Sequence, residues 1–92
     1  MTNLFDLSGK VALITGATHG LGMAMAKALG RAGATLVING NTPAKMEAAL
    51  ESYKNDGFRV HGLLFDVTNE ALVKENIEKI EKEIGPIHIL VN

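Results

Sequence analysis

The sequence alternates short apolar runs with stretches in which apolar residues recur every three or four positions. A short run that is apolar throughout is typical of a strand buried on both faces of a parallel sheet, whereas a spacing of three or four residues is typical of a helix. The order of elements along the chain is therefore βαβαβαβ. The predicted strands cover residues 10–15, 35–39, 59–66 and 87–92.

This alternation predicts an α/β fold, a doubly wound parallel sheet of the Rossmann type with helices on both faces. Because crossovers between parallel strands are right-handed, the expected strand order is 3-2-1-4. Ligands of such sheets bind in the crevice at the carboxyl ends of the strands, here where strands 1 and 4 diverge. No linker or repeat interrupts the pattern, so residues 1–92 are predicted to form one domain.

Each of the three intervening stretches carries one apolar stripe that is expected to face the sheet. Thr42 and Thr68 precede the second and third stretches and are expected to cap those helices, while Gly33 and Gly57 are expected to end the first two. Tyr53 is interpreted as a half-buried packing residue of the second helix. The predicted stripes are Leu21, Met25, Ala28, Leu29 and Ala32; Met46, Ala49, Leu50 and Tyr53; and Val73, Ile77, Ile80 and Ile84.

The composition argues against several classes of partner. The 92 residues are 47% hydrophobic, carry a formal net charge of −1 and include no cysteine. Balanced charge gives no electrostatic basis for binding nucleic acid or an anionic membrane, and a chain without cysteine forms neither disulfides nor thiolate metal sites. His19, His61 and His88 lack the spacing of a metal site. No run is long enough for a signal peptide or a membrane span, so the cytoplasm is the expected compartment.

The segment TGATHGLG, residues 15–22, joins the first strand to the first helix and contains three glycines. Glycines in such a turn permit a tight reversal, leave room for a pyrophosphate and let the helix approach the strand, while the free N–H groups of the helix face the phosphates. Gly16, Gly20 and Gly22 are therefore predicted to bind a dinucleotide cofactor. A tight turn without a ligand is the alternative interpretation.

The glycine spacing, T-G-x-x-x-G-x-G, resembles that of the short-chain dehydrogenase/reductase family. Further matches are LSGKVALIT before the turn, DV at residues 66–67, and ILVN at residues 89–92, which resembles the start of the family's N-N-A-G motif. The stretch SYKNDGFRVHGLLFDVTNE is most similar to the gluconate 5-dehydrogenase group of that family. The resemblance implies an NAD(P)-dependent oxidoreductase that interconverts an alcohol and a ketone on a sugar acid such as gluconate.

The resemblance also implies roles for single residues near the phosphates. Thr18, His19 and the backbone of Leu21 would lie nearest the adenosine phosphates and ribose. About 20 residues beyond the glycines, an NAD-binding sheet carries an acid that holds the ribose 2′-hydroxyl, but this chain has Asn39 and Asn41 there. Without a carboxylate to repel a 2′-phosphate, NADP is favoured slightly over NAD, and His19 is placed to contact that phosphate.

Three further residues are implied to bind the adenosine half of the cofactor. Asp66 would accept a hydrogen bond from the adenine amine, with Val67 beside the ring, and Asn92 would lie beside the ribose. Two of them have an ordinary structural alternative. Asp66 could be an acid at the start of the third helix, near Thr68, and Asn92 could be a polar end residue.

The family's catalytic serine, tyrosine and lysine, the last two in a Y-x-x-x-K motif, cannot be placed in these residues. Tyr53 is the one tyrosine, and Gly57 stands four positions later. The chain is therefore interpreted as the cofactor-binding part of the enzyme, inactive by itself, and family-type homo-oligomers are expected only of the full-length protein. The alternative is a non-catalytic dinucleotide-binding or regulatory module.

Overall fold

In the computed structural model, which describes residues 6–91, four parallel strands alternate with three helices as the sequence predicts. The strands form one sheet in the order β3-β2-β1-β4, which confirms the predicted topology. None of the helices formed by these residues is long and apolar enough to cross a membrane. The elements are β1 (Val11–Thr15), α1 (Gly20–Arg31), β2 (Thr35–Gly40), α2 (Pro43–Asn55), β3 (Val60–Leu64), α3 (Glu70–Glu83) and β4 (Ile87–Val91).

The register of the sheet brings the carboxyl ends of the strands to one edge. Thr15, the last residue of β1, is opposite Asn39 of β2, and Gly40 is opposite Leu64, the last residue of β3. On the other side of β1, Ile14 is opposite Val91. The loops that leave β1, β2 and β3 therefore begin next to one another at this edge of the sheet.

The core consists of two layers, one on each face of the sheet. The alternating side chains of β1 and β2 separate these layers, because successive residues of a strand point to opposite faces. Helices α1 and α2 cover one face and α3 covers the other, as predicted. The first layer contains Ala12, Ile14, Ala26, Leu36, Ile38, Met46, Ala49 and Tyr53. The second contains Val11, Leu13, Val37 and Ile80, with Ile77 and Ile84 packed against them.

Helix α1 buries only part of the predicted stripe: Leu29 packs against the core, but most of the contact with the sheet is made by other residues. Its contact face contains the small residues Gly22, Ala26 and Gly30, of which Ala26 is fully buried. A Cβ atom at Gly22 would lie 2.3 Å from the Gly16 carbonyl oxygen, and one at Gly30 would lie 2.9 Å from the Phe58 ring. The helix backbone thus lies so close to its neighbours at Gly22 and Gly30 that neither position has room for a larger side chain. The predicted stripe members left exposed are Leu21 (77%), Met25 (41%) and Ala28.

The helix caps also differ in part from the prediction. Thr68 does not cap α3; Asn69 does, and its side-chain oxygen accepts a hydrogen bond from the Leu72 N–H at 3.1 Å. Thr42 occupies the N-cap position of α2 as predicted, but its hydroxyl donates to the Asn41 side chain at 3.4 Å and accepts no hydrogen bond from the helix N–H groups. Hydrogen-bonding side chains near a helix start are interchangeable in a sequence pattern, so the fold decides which one turns toward the helix.

Tyr53 is fully buried rather than half-buried. The predicted stripe of α2 does face the sheet, and the Tyr53 ring lies in the core with its hydroxyl donating to the Ala17 carbonyl oxygen at 2.7 Å. Burial raises the pKa of this phenol from 10.0 to about 12. Lys27 lies over the ring at 5.6 Å and forms an ion pair with Asp56 at 2.7 Å.

We expect this pKa to make the fold sensitive to alkali. The unfolded chain releases the Tyr53 proton near pH 10, whereas the folded chain keeps it to about pH 12, so the free energy of unfolding should decline as the pH rises between these values. The chain has one tyrosine and no tryptophan, so its tyrosinate absorbance reports on this residue alone. If the Tyr53 phenol of the folded protein titrated near pH 10, that result would contradict its burial. The Tyr53→Phe variant lacks the phenol but keeps Lys27, so any alkaline loss of stability that it still shows comes from other groups such as Lys27.

Candidate functional site

The turn between β1 and α1 gives its three glycines two different tasks. Gly16 and Gly20 have φ angles of +64° and +61°, a region that side-chain-bearing residues rarely adopt. A Cβ atom at either position would meet nothing within 4 Å, so the space beside them is open to a ligand. Gly22, in contrast, is required by the protein itself, because its backbone lies against the Gly16 carbonyl.

Two of the three helices that begin at this edge of the sheet, α1 and α2, have no capping side chain. Neither the side chain of His19, the N-cap of α1, nor that of Thr42, the N-cap of α2, accepts a hydrogen bond from its helix, and neither helix has an acidic residue in its first turn. Helix α3 is different, since it has the Asn69 cap and Glu70 in its first turn. The first turns of α1 and α2 therefore leave N–H groups and the positive end of the helix dipole available to an anion.

A cleft of about 340 Å³ lies at the carboxyl ends of β1, β2 and β3. The sequence predicted the crevice between β1 and β4 instead; the cleft differs because its walls come from the segments that follow β1, β2 and β3. This cleft brings together seven of the residues predicted to bind the cofactor. Gly20, Leu21 and Gly22 lie in the adjoining first turn of α1 rather than in its walls, and Asn92 lies outside the described residues. The walls consist of Thr15, Gly16, Thr18, His19, Asn39, Gly40, Asn41, Thr42, Lys45, Phe65, Asp66 and Val67.

Asn39 forms part of the floor of the cleft. Its side chain is 4% exposed, and its amide nitrogen donates to the carbonyl oxygens of Phe65 at 2.9 Å and Leu63 at 3.4 Å. The side chain thus joins the end of β2 to the segment that follows β3. With the amide donor used in this way, the side-chain oxygen is the group that Asn39 can offer to a ligand.

Asp66 is held in place by the residue two positions later. Its Oδ1 atom accepts hydrogen bonds from the Thr68 hydroxyl at 2.7 Å and from the Thr68 N–H at 2.9 Å. These bonds, the hydroxyl first, lower the pKa of the carboxyl below its usual value. The acid does take part in the local turn before α3, as the alternative interpretation held, but it also faces the cleft as an oriented, ionised acceptor.

Thr18 and His19 form the wall that the glycine turn contributes. The Thr18 hydroxyl and the His19 Nδ1 atom are 3.1 Å apart, so the two side chains support each other. A Cβ atom at Gly40 would lie only 2.8 Å from the Thr18 methyl group, which shows how closely the turn approaches the end of β2. Residue 40 therefore carries no side chain into the cleft, and residues 39–41 present no carboxylate there.

Lys45 lines the same cleft and was missed by the sequence analysis. It lies in the first turn of α2, whose start follows the end of β2 after two residues. The ion pair found among residues 6–91 joins Lys27 to Asp56, so Lys45 is not engaged by a carboxylate. Pro43 was the sequence signal that could have indicated the position of Lys45. A proline favours the first helical position, so it shows where α2 begins and which edge of the sheet its first turn borders.

The glycine turn, the cleft and the strand order agree with a comparison of the whole sequence. The family model described as short chain dehydrogenase matches residues 10–92. The chain belongs to the short-chain dehydrogenase family. This family consists of oxidoreductases that use NAD(P), and the match extends over every element described above.

Individual short-chain dehydrogenases resemble this chain closely. It is 53% identical over 91 residues to the 2-dehydro-3-deoxy-D-gluconate 5-dehydrogenase of Formosa agariphila, covering 98% of this chain and 34% of that protein. It is 40% identical over 90 residues to the gluconate 5-dehydrogenase of Gluconobacter oxydans, covering 98% and 35%. The structure of the 2-keto-3-deoxy-D-gluconate dehydrogenase from Streptococcus agalactiae superposes with a TM-score of 0.91 at 45% identity, covering 96% and 33%. The chain thus spans about a third of the length of these relatives.

Proposed function

We propose that this chain binds the adenosine half of NADP or NAD and forms the cofactor-binding part of a short-chain dehydrogenase that acts on a sugar acid. The cleft at the carboxyl ends of β1, β2 and β3 carries the proposal, because it combines an open glycine turn with two uncapped helix starts. When bound, such a cofactor supplies a nicotinamide that accepts a hydride from an alcohol carbon or returns it to a ketone.

The phosphates would be bound by the backbone rather than by charged side chains. Gly16 and Gly20 leave the surface of the turn free of Cβ atoms, so a pyrophosphate can approach the peptide groups directly. The first turn of α1, from Gly20 to Gly22, then offers N–H groups that no capping side chain satisfies. The backbone of Leu21 lies within this turn, as the proposed contact requires.

The adenosine would lie deeper along the cleft, toward β3. Asp66 can accept a hydrogen bond from the exocyclic amine of adenine, because its Oδ1 atom is held by Thr68 and its carboxyl is ionised. Val67, 47% exposed, offers an apolar surface to the ring. Asn92 remains a proposed contact of the ribose.

The charges around the cleft favour NADP over NAD. An enzyme specific for NAD usually holds the ribose 2′-hydroxyl with an acid at the end of the second strand, and residues 39–41 contain none. Asn41 and Lys45 line this part of the cleft, and His19 lies in the wall formed by the glycine turn. A 2′-phosphate would therefore meet a cation and hydrogen-bond donors rather than a repelling carboxylate.

We expect Lys45→Gln to weaken binding of NADP by about 10-fold and to leave binding of NAD nearly unchanged, because only NADP carries the phosphate that Lys45 would pair with. Calorimetric titration of both cofactors measures the two affinities. Lys54→Gln is the matched control, since Lys54 is an exposed lysine of the same helix and lies outside the cleft. Equal losses for NADP and NAD would overturn the preference for NADP.

The substrate is inferred from the relatives. Two of the relatives named above are 5-dehydrogenases, one of gluconate and one of 2-dehydro-3-deoxy-D-gluconate, so we infer oxidation of a hydroxyl group at carbon 5 of a six-carbon sugar acid, with reduction of the cofactor and release of one proton. Incubating the whole protein with NADP or NAD and each sugar acid tests this by the absorbance of the reduced cofactor. Cofactor binding without turnover of either sugar acid would favour a non-catalytic module.

A further inference from the structure

The Tyr53 hydroxyl reaches from α2 to the middle of the glycine turn. Its ring is 0% exposed, and its O–H donates to the carbonyl oxygen of Ala17 at 2.7 Å. Ala17, itself 0% exposed, lies between Gly16 and Thr18, both of which line the cleft. A buried hydroxyl costs free energy unless it is paired, and a phenylalanine would fill the same volume without that cost. The hydroxyl therefore points to a role beyond filling the core.

The bond fixes the orientation of one peptide group. The described residues contain no cis peptide bond, and in a trans peptide the C=O and the following N–H point in opposite directions. When the Ala17 carbonyl is held down into the core by Tyr53, the Thr18 N–H must point away from the core. Thr18 borders the cleft at this position, so its N–H is directed to the side from which a phosphate would approach.

The Tyr53 ring also contacts the neighbouring helix α1. The Lys27 ammonium group of α1 lies 5.6 Å from the ring centroid, donates to the Ser52 hydroxyl at 2.7 Å and pairs with Asp56 at 2.7 Å. The Lys27 side chain is 20% exposed and that of Asp56 is 45% exposed, so solvent screens this ion pair in part. Lys27 of α1 thus covers the fully buried ring, and the Tyr53 hydroxyl is paired with Ala17.

We propose that Tyr53 is a positioning residue for cofactor binding, which holds the Ala17 carbonyl so that the glycine turn presents the Thr18 N–H to the cofactor phosphates. The proposal rests on the proposed function, because it requires that the cleft bind a phosphate-bearing nucleotide. It predicts an effect on every ligand that carries a pyrophosphate and none on a ligand that lacks phosphate, a distinction that simple loss of stability does not make.

The test compares Tyr53→Phe with the parent protein for binding of NADP, ADP and adenosine. We expect the dissociation constants of NADP and ADP to rise about 5- to 10-fold, the effect of losing one hydrogen bond that orders the turn, and that of adenosine to stay the same. Ile80→Val is the matched control, because it removes one methyl group from the core layer on the opposite face and should change stability without changing any of the three affinities.

A second measurement covers the case in which Tyr53→Phe fails to fold. Because the chain has one tyrosine, growth with 3-fluorotyrosine places fluorine at residue 53 alone. We expect the fluorine resonance to shift when NADP or ADP is added and not when adenosine is added. Unchanged ADP affinity in a folded Tyr53→Phe, or an unshifted resonance in protein saturated with ADP, would overturn the role of Tyr53. Failure of the parent to bind NADP, NAD and ADP would instead overturn the proposed function.

Discussion

Gly22→Val is expected to unfold the chain or to remove its capacity to bind the cofactor. A Cβ atom at residue 22 would lie 2.3 Å from the carbonyl oxygen of Gly16, 3.0 Å from its carbonyl carbon and 3.3 Å from the Ala17 Cα atom. All three are backbone atoms, so they move only if the turn or the helix moves. The expected cost is at least about 3 kcal/mol, a large part of the stability of a small domain. Urea denaturation followed by circular dichroism measures it.

The matched control for this variant is Ala24→Val, which adds the same kind of side chain two residues later on the exposed side of α1. Only the helix propensity changes there, at a cost of about 0.5 kcal/mol. Gly16→Ala tests the space left for a ligand separately from the packing of α1. It adds backbone strain of about 1 kcal/mol and a methyl group in open space, so it should lower cofactor affinity more than stability. A Gly22→Val chain that stays folded and binds NADP like the parent would show that α1 need not lie so close.

Asn39→Asp is expected to have the second largest effect, although the two side chains have nearly the same shape. It replaces the amide that donates to the Phe65 and Leu63 carbonyl oxygens by a carboxylate that cannot donate. The site is 4% exposed, so an ionised oxygen would face two carbonyl oxygens with little water. We expect a loss of about 3 kcal/mol at neutral pH, measured by denaturant unfolding.

The pH dependence of that loss provides a stringent check. The introduced carboxyl can donate to Phe65 only when protonated, so its pKa in the folded protein should lie above the value of about 4 that it has when unfolded. A carboxyl whose pKa is raised by folding stabilises the folded state at low pH, and this stabilisation is lost as the pH rises through that pKa. The difference in free energy of unfolding between Asn39→Asp and the parent should therefore become smaller as the pH is lowered. Asn41→Asp, at an exposed position two residues later, should show no such deficit. A deficit that is independent of pH would contradict the assigned hydrogen bonds.

Much of the candidate site could be predicted because it consists of backbone geometry marked by glycine. The sequence predicted a tight reversal at these glycines; Gly16 and Gly20 make it with positive φ angles, and the cleft opens beside them. Asp66 and Val67 line that cleft because they follow β3, whose place in the sheet was fixed by the handedness of the crossovers. Lys45 could not be recognised in this way, since only the position of α2 relative to β2 shows that its first turn borders the cleft.

The sequence by itself determined the order of elements, the topology of the sheet and the place of the glycine turn, since each depends on periodicity, glycine and chain handedness, which are local or general properties of the chain. Only the tertiary structure decided which face α1 buries, because close approach of backbones selects small residues over large apolar ones. It also decided that Asn39 bonds to Phe65 and Tyr53 to Ala17, pairs separated by 26 and 36 residues. Such contacts depend on which strands and helices become neighbours, and no repeating pattern in the sequence records them.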